Sequence, residues 1–316
     1  MMINLFAAVE LLKSQDNILI LVHGHPDGDT LGSGLALKYA LTAIGKNAVV
    51  KCCDKVPDKY SYMGAMCTEN FRYDFITAVD VADTKLLGKD FNAEYSDKIQ
   101  LCIDHHGSNK MYAENTLLDS SAAATAEIIL EIIRELNVEI TKEIADCIYT
   151  GLTTDTGCFR YSNVTPRTMR MAADMIEAGA SNAKINTIMF ETKTRTYVAL
   201  ERMALDSMKM YLDDKCAVIT VTQDMYKKSG SDESEVDAIA SIPRQIEGVL
   251  VGVTIREKTD GTYKVSMRSS EPVNVSEICA AMGGGGHPRA AGCDVAGPCD
   301  KATKTIIENV KKYFED

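Results

Sequence analysis

The feature that most constrains this chain is the rhythm of its first half. Short apolar runs, ILILVH at 18–23, NAVVKCC at 47–53, FITAVD at 75–80 and IQLCID at 99–104, are separated by stretches with helical spacing. Runs of this length, rich in β-branched residues, predict strands buried on both faces. TLGSGLALKYALTAIG (30–45), AAATAEIILEIIRELN (122–137) and KEIADCIYTGL (142–152) place apolar residues at helical intervals. Strands alternating with helices predict a doubly wound, mostly parallel α/β sheet. In such sheets ligands bind beyond the carboxyl ends of the strands. His23, Asp80 and Asp104 close three of these runs, so separate strands deliver polar side chains to one rim.

The second half reads differently. Two more helices are predicted within 165–190, and ETKTRTYVALERMALDSMKM (191–210) reads as a helical linker without strand character. From residue 211 a smaller α+β pattern begins. CAVITV (216–221) is a strand, and SEVDAIASIPRQIEG a helix containing Pro243. VLVGVTIREKTDGTYKVSMRSS reads as two strands turning at Asp260-Gly261, a hairpin signal. VNVSEICAAM is a short helix, GGGGHPRAAG (283–292) a flexible loop, and KATKTIIENVKKYFE the final helix. The expected layout is an α/β domain at 1–190, the linker at 191–210 and a smaller α+β domain at 211–316.

Composition narrows the function. A net charge of −11 disfavours long nucleic acid, which is bound through many Lys and Arg contacts. It leaves room for a nucleotide or short oligonucleotide in one local basic pocket. No apolar run approaches the length of about 18 residues that spans a membrane. The start, MMINLFAAVELLKSQDN, reads as an amphipathic helix rather than a signal peptide. Ten cysteines without a CxxC pair suit a reducing cytoplasm and argue against a zinc ribbon.

The five histidines fall in polar, turn-like clusters: His23 and His25 in HGHPDGDT, His105 and His106 in DHH, and His287 after four glycines. Asp27, Asp29, Asp80, Asp83, Asp104 and Asp155 are their acidic company. For Asp83 and Asp104 a cap or turn role competes with a functional one. Clustered carboxylates with a few imidazoles suit divalent cations, Mn²⁺ ahead of Mg²⁺ because of the histidines. Two ions about 3.5–4 Å apart, sharing a carboxylate, clamp the attacking and leaving oxygens of a phosphate ester.

HGHPDGDT, VDVAD, DHH and GLTTDTG, in that order, resemble the DHH phosphoesterases, and SMRSS with GGGGHPRAAG resembles the associated C-terminal domain of their RecJ-like branch. The likeness spans nearly the whole chain. Within the family it is similar to the compact oligoribonucleases called nanoRNases, which also remove the 3′-phosphate of 3′-phosphoadenosine 5′-phosphate. The resemblance implies His23, Asp27 and Asp80 on one metal, and Asp29, Asp80, His105 and Asp155 on a second, bridged by Asp80. It implies His106 facing the scissile phosphate, and Asp104 orienting the adjacent histidine. Arg268, Ser269, Gly284, Gly285, Gly286, His287 and Arg289 are implied as a clamp on the far end of a short substrate, and the position of the linker alone suggests opening about it to admit that substrate. His25 stands where the family often has Asn and is unassigned. Cyclic di-AMP or linear pApA and pGpG are the alternative substrates, and a non-catalytic nucleotide-binding regulator is the alternative class. A homodimer is compatible with the sequence.

Overall fold

The computed structural model describes residues 1–232 and 235–315. The chain divides into two compact units, Met1–Thr192 and Lys193–Asp316.

The first unit is built on a sheet of β1 (Ile18–Leu21), β2 (Ala48–Lys51), β3 (Phe75–Val79), β4 (Leu101–Asp104) and β5 (Asn115–Leu118). Their order is β2-β1-β3-β4-β5 and every pairing is parallel. The expected parallel α/β sheet is therefore present. β5 is an addition: NTLL is too short and too polar at its first residues to announce itself. Side chains alternate across each strand. Ile18 and Ile20 point into a core shared with helices 28–43, 125–135 and 142–155. Leu19 and Leu21 point into a second core with Ile76, Tyr95 and Cys102. With both faces covered, the rim at the strand ends is left for chemistry. The order reverses between β1 and β3, the switch point where such sheets bind ligands.

Two helices meet closely behind this rim. A Cβ at Gly32 would lie 2.3 Å from the Cys147 carbonyl oxygen, and one at Gly28 would lie 2.5 Å from the Thr154 side chain. Helix Gly28–Ala43 can thus press its backbone against helix Lys142–Asp155, which brings Asp29 toward Asp155. Gly151 is the matching contact: a Cβ there would meet Ala126 Cβ at 2.6 Å and Asp29 Oδ1 at 2.7 Å. Gly151→Ala is expected to cost about 1–3 kcal/mol through overpacking. It should also lower divalent-metal affinity by displacing Asp29. Thermal melting and metal titration of the variant check both effects.

The second unit carries β6 (Lys209–Tyr211), β7 (Cys216–Val221), β8 (Val251–Glu257), β9 (Tyr263–Ser269), β10 (Gly285–His287) and β11 (Ala290–Val295). Their order is β10-β11-β9-β8-β7-β6, parallel only at β7–β8. The turn at Asp260-Gly261 joins β8 to β9, as its sequence predicts, with Gly261 at φ +79°.

Several expectations for this half are corrected. Residues 191–210 contain helix Arg195–Asp206, whose Tyr197, Leu200 and Ala204 pack on Ile219 and Val221 of β7. The helix is a layer of the second unit, and the stretch ends in strand rather than helix. GGGGHPRAAG is a hairpin, because Gly285, Gly286 and His287 pair with Gly292, Ala291 and Ala290. The helix expected over SEVDAIASIPRQIEG is reduced to Val236–Ile239 and a 3₁₀ turn at Pro243–Gln245, since proline cannot continue a helical ladder. Ser234, at its start, lies outside the described residues. No helix among the described residues is long and apolar enough to cross a membrane.

Candidate metal centre

The loop HGHPDGDT leaves β1 and enters helix 28–43. Asp27 caps that helix, accepting from the Asp29 and Thr30 N–H groups at 3.0 Å. Thr30 is fully buried and ties two strand ends together. Its hydroxyl donates to the Val79 carbonyl at 3.2 Å and accepts from the His23 N–H at 3.4 Å. His23 is thereby fixed beside Asp80. Asp80 is buried and holds φ at +61°, a left-handed backbone that Asp tolerates better than most residues.

Asp80 presents one oxygen to each side. Its Oδ2 lies 3.6 Å from His23 Nε2, which in turn lies 3.7 Å from Asp27 Oδ2. Its Oδ1 lies 3.8 Å from His105 Nε2, which stands 3.2 Å from Asp155 Oδ2 and 4.0 Å from Asp29 Oδ2. His23, Asp27 and Asp80 therefore form one group that could hold a metal ion, and Asp29, His105 and Asp155 another. The imidazoles are oriented for it. His23 Nδ1 meets the Gly24 carbonyl at 2.8 Å and His105 Nδ1 the Ala122 carbonyl at 3.1 Å. Nδ1–H donation leaves each Nε2 with a free lone pair aimed at the carboxylates, as second-shell carbonyls do for metal-bound histidines. His105 Nε2 is buried and has no hydrogen-bond partner. A buried ring nitrogen without an assigned hydrogen bond, facing three carboxylates, fits a shared cation, whether a proton or a metal ion.

Asp29 is fully buried and has a second task. It accepts from the Thr125 and Ala126 N–H groups at 2.7 and 2.9 Å, and from the Ser33 hydroxyl at 3.1 Å. It thus caps helix Thr125–Glu135, whose own N-cap residue, Ala124, makes no side-chain cap bond. Thr125 also donates its hydroxyl to Asp80 Oδ1 at 2.8 Å. One residue so braces two carboxylates, and nothing in the run AAATAE marks it in advance.

His106 is held differently. Its Nδ1 lies 2.8 Å from Asp104 Oδ1. Asp104 is fully buried. It also accepts from the His105 and His106 N–H groups and from Asn109 Nδ2 at 2.6 Å. His106 could join Asp80 and His105 in a third cation-holding group. Its Nδ1 is already committed to Asp104 at 2.8 Å, however, and lies 3.5 Å from Asp80 Oδ1. Asp104 thus holds the His106 ring and the His105 N–H, and Asn109 is the brace that sequence reading missed. Asp83 takes the modest role: it caps the 3₁₀ turn Thr84–Leu87 by accepting from the Lys85 N–H. The His25 side chain is fully exposed, beside Asp54 at 3.5 Å, and lies outside the cluster.

The field of the carboxylates dominates the electrostatics. Burial pulls His23 down, but its contacts with Asp80 and Asp27 raise it from 6.5 to about 9. Burial likewise opposes, and Asp155, Asp29 and Asp80 outweigh it, so that His105 reaches about 10. Burial and the neighbouring Asp80 and Asp155 hold the Asp29 carboxyl well above its ordinary value. Burial pushes Asp80 up too, but the imidazoles of His23, His106 and His105 bring it below its usual value. Protonation of His23 and His105 adds stability that is full below about 6.5 and fades as pH rises through 9–10. Divalent-metal uptake must displace those protons. Affinity for a divalent cation is therefore expected to climb from pH 7 to about 9–10, with protons released from His23 and His105. Calorimetric titration in buffers of different ionisation enthalpy counts them.

In the second unit, Arg268 lies on β9, half-buried, its Nη1 on the Met267 carbonyl. Gly284 is packed so that a Cβ would meet the Gly292 oxygen at 2.1 Å. Gly285, Gly286 and His287 are exposed on β10. Arg289 Nη1 donates to the Val273 carbonyl, and its Nη2 lies 3.4 Å from Glu271. Ser269 is buried, and its hydroxyl lies 2.7 Å from the Val273 carbonyl and 3.2 Å from that of Pro288. It fastens β9 to its neighbours.

The N-terminal domain of the DHH family matches residues 17–152, and the DHHA1 domain matches residues 213–316. A bifunctional oligoribonuclease and PAP phosphatase NrnA of Thermus thermophilus is 33% identical over 312 residues, covering 96% of this chain and 92% of that relative. The chain belongs to the DHH family. A DHH relative in Bacillus subtilis with the same description is 25% identical, over 91% of this chain and 92% of its own length. An exopolyphosphatase-related protein from Bacteroides fragilis superposes with a TM-score of 0.88 at 25% identity, over 98% of this chain and 96% of that one. RecJ from Thermus thermophilus, solved in complex with Mn²⁺, shares the fold with a TM-score of 0.58 at 14% identity, over 98% of this chain and 54% of RecJ. The DHH motif that names the family is here Asp104, His105 and His106.

Proposed function

We propose that this chain is a phosphoesterase that uses two divalent cations, Mn²⁺ ahead of Mg²⁺, to hydrolyse short oligoribonucleotides to mononucleotides, and that it also converts 3′-phosphoadenosine 5′-phosphate to AMP. The observation that carries this reading is Asp80, whose two oxygens face two separate imidazole–carboxylate groups. The full-length relatives described as oligoribonuclease and PAP phosphatase supply the substrate class.

In this reading His23, Asp27 and Asp80 hold one cation, and Asp29, Asp80, His105 and Asp155 the other. The cations would acidify water from a pKa of about 15.7 towards 7 and offset the charge of the phosphate. Asp104 keeps the His106 Nδ1 proton in place, so the exposed Nε2 is free to face the phosphoester. The hydrogen bond to Asp104 comes first among the causes that raise His106 above its ordinary value, with Asp80 adding to it against burial. A protonated His106 donates from both nitrogens, one to Asp104 and one to the phosphate or leaving oxygen. Arg268, Gly284, Gly285, Gly286, His287 and Arg289 bind the substrate. Arginine supplies a planar fork for phosphate, and exposed glycines let backbone N–H groups approach it.

The test is turnover of a diribonucleotide and of 3′-phosphoadenosine 5′-phosphate by the purified chain with Mn²⁺. Release of mononucleotides and of inorganic phosphate, each abolished by chelation, is expected. Binding of either compound without turnover under Mn²⁺ or Mg²⁺ would leave a regulator instead.

A further inference from the structure

The turn that follows Asp155, a member of the carboxylate cluster, holds an exposed ring. Gly157, Cys158 and Phe159 take φ values of +56°, +59° and +61° in succession. Left-handed backbone at two neighbouring non-glycine residues costs free energy and persists only where the surroundings impose it. Thr156 imposes it here. Its carbonyl accepts from the Arg160 and Tyr161 N–H groups at 2.9 and 3.1 Å, and its hydroxyl from the Phe159 N–H at 3.1 Å. The outcome is that the Tyr161 ring lies across Gly157, where a Cβ would come within 2.3–2.6 Å of three ring carbons. Even so, 58% of Tyr161 is exposed.

The turn is fastened to the candidate metal centre. Asn163 Nδ2 donates to the Asp155 carbonyl at 3.2 Å and to the Ala123 carbonyl at 3.0 Å. The next carbonyl, that of Ala122, holds His105 Nδ1. Tyr161 is thus mounted on the backbone that positions two members of the cluster, Asp155 and His105. Arg160, beside it, is exposed and uses Nε on the Gly157 carbonyl at 2.6 Å.

A single exposed aromatic is ordinary. One propped on a glycine by a strained, over-determined turn tied to the Asp155 backbone is not explained by packing. We propose that the Tyr161 ring is a stacking platform for the nucleobase of a nucleotide whose phosphate lies at the carboxylate–imidazole centre. Arg160 offsets the substrate's charge beside it. Stacking on an aromatic face tolerates any base, because every base has a π-face. That suits an enzyme for short oligoribonucleotides of mixed sequence. The inference rests on the phosphoesterase reading above.

The experiment compares kcat/KM for a diribonucleotide with the values for its two singly abasic counterparts, with Mn²⁺ present. The wild type should prefer the full substrate to at least one abasic form by about tenfold or more. Tyr161→Ala and Tyr161→Leu should lose most of that preference through KM, and Tyr161→Phe should keep it. Leu retains an apolar cover over Gly157, so it reports even if the Ala variant folds poorly. General damage to the centre would depress all substrates together and leave the preference intact. A wild-type preference that survives in both the Ala and Leu variants, or no preference in the wild type, overturns the platform alone. No turnover of the full substrate by the wild type overturns the phosphoesterase reading and the platform with it.

Discussion

Asp80→Asn is expected to reduce metal-dependent release of mononucleotides from a diribonucleotide by roughly a thousandfold or more, beyond the loss of a single stabilising donor elsewhere. The substitution is chosen for its backbone. Asp80 sits at φ +61°, and Asn accepts the left-handed region as readily as Asp. It keeps the shape and the bond from the Thr125 hydroxyl, and removes one charge. That charge faces both imidazole–carboxylate groups, so its loss should weaken both cation positions at once. Asp27→Asn touches one group only and should weaken one. Calorimetric titration with Mn²⁺ separates the cases: reduced affinity at every site for Asp80→Asn, and a preserved second site for Asp27→Asn. Near-normal turnover in Asp80→Asn would sink the shared-ligand reading. Melting curves without metal show whether the fold persists.

Much of this centre was legible because the chain writes it at strand ends. His23, Asp80 and Asp104 each follow an apolar run, and a doubly wound sheet carries such positions to one rim. Asp27, Asp29, His105 and Asp155 came with the motifs around them. What was not legible are the groups that hold the ligands in place. Thr125 looks like any residue near a helix start, yet it bonds both Asp29 and Asp80. Asn109 is known as a brace only once the chain folds back on Asp104. Strand identity failed where local propensity is weakest. NTLL and KMY are too short to show a period, and glycine-rich GGGGH becomes a strand through its partner Ala290–Val295. Ser269 shows what a motif leaves out. It sits in a motif that resembles a substrate clamp, but β9 alternation turns it inward and Arg268 outward. A period of two decides which neighbours can meet a ligand, and a motif read as a string ignores that period.

Adjacent histidines should then behave as different kinds of residue. His105→Ala removes a buried Nε2 directed at Asp29, Asp80 and Asp155, and is expected to lower metal affinity first. His106→Ala removes a ring whose Nδ1 belongs to Asp104, and should leave Mn²⁺ affinity within a few-fold of wild type. Its kcat should fall by about 10²–10⁴, the usual contribution of a positioned proton donor. Excess Mn²⁺ would restore activity to the first variant and not to the second. The pH profile carries the same distinction. Asp104 raises His106, so the imidazolium persists above its ordinary range. Activity that needs the charged form declines as pH rises through that raised value. Asp104→Asn withdraws the supporting charge and should move the alkaline decline to lower pH, with kcat reduced about 10- to 100-fold by the loosened ring. If His106→Ala and His105→Ala both proved rescuable by metal, His106 would be a ligand and the Asp104 bond incidental. If Asp104→Asn left the alkaline limb in place, the proton lost on that limb would belong to another group.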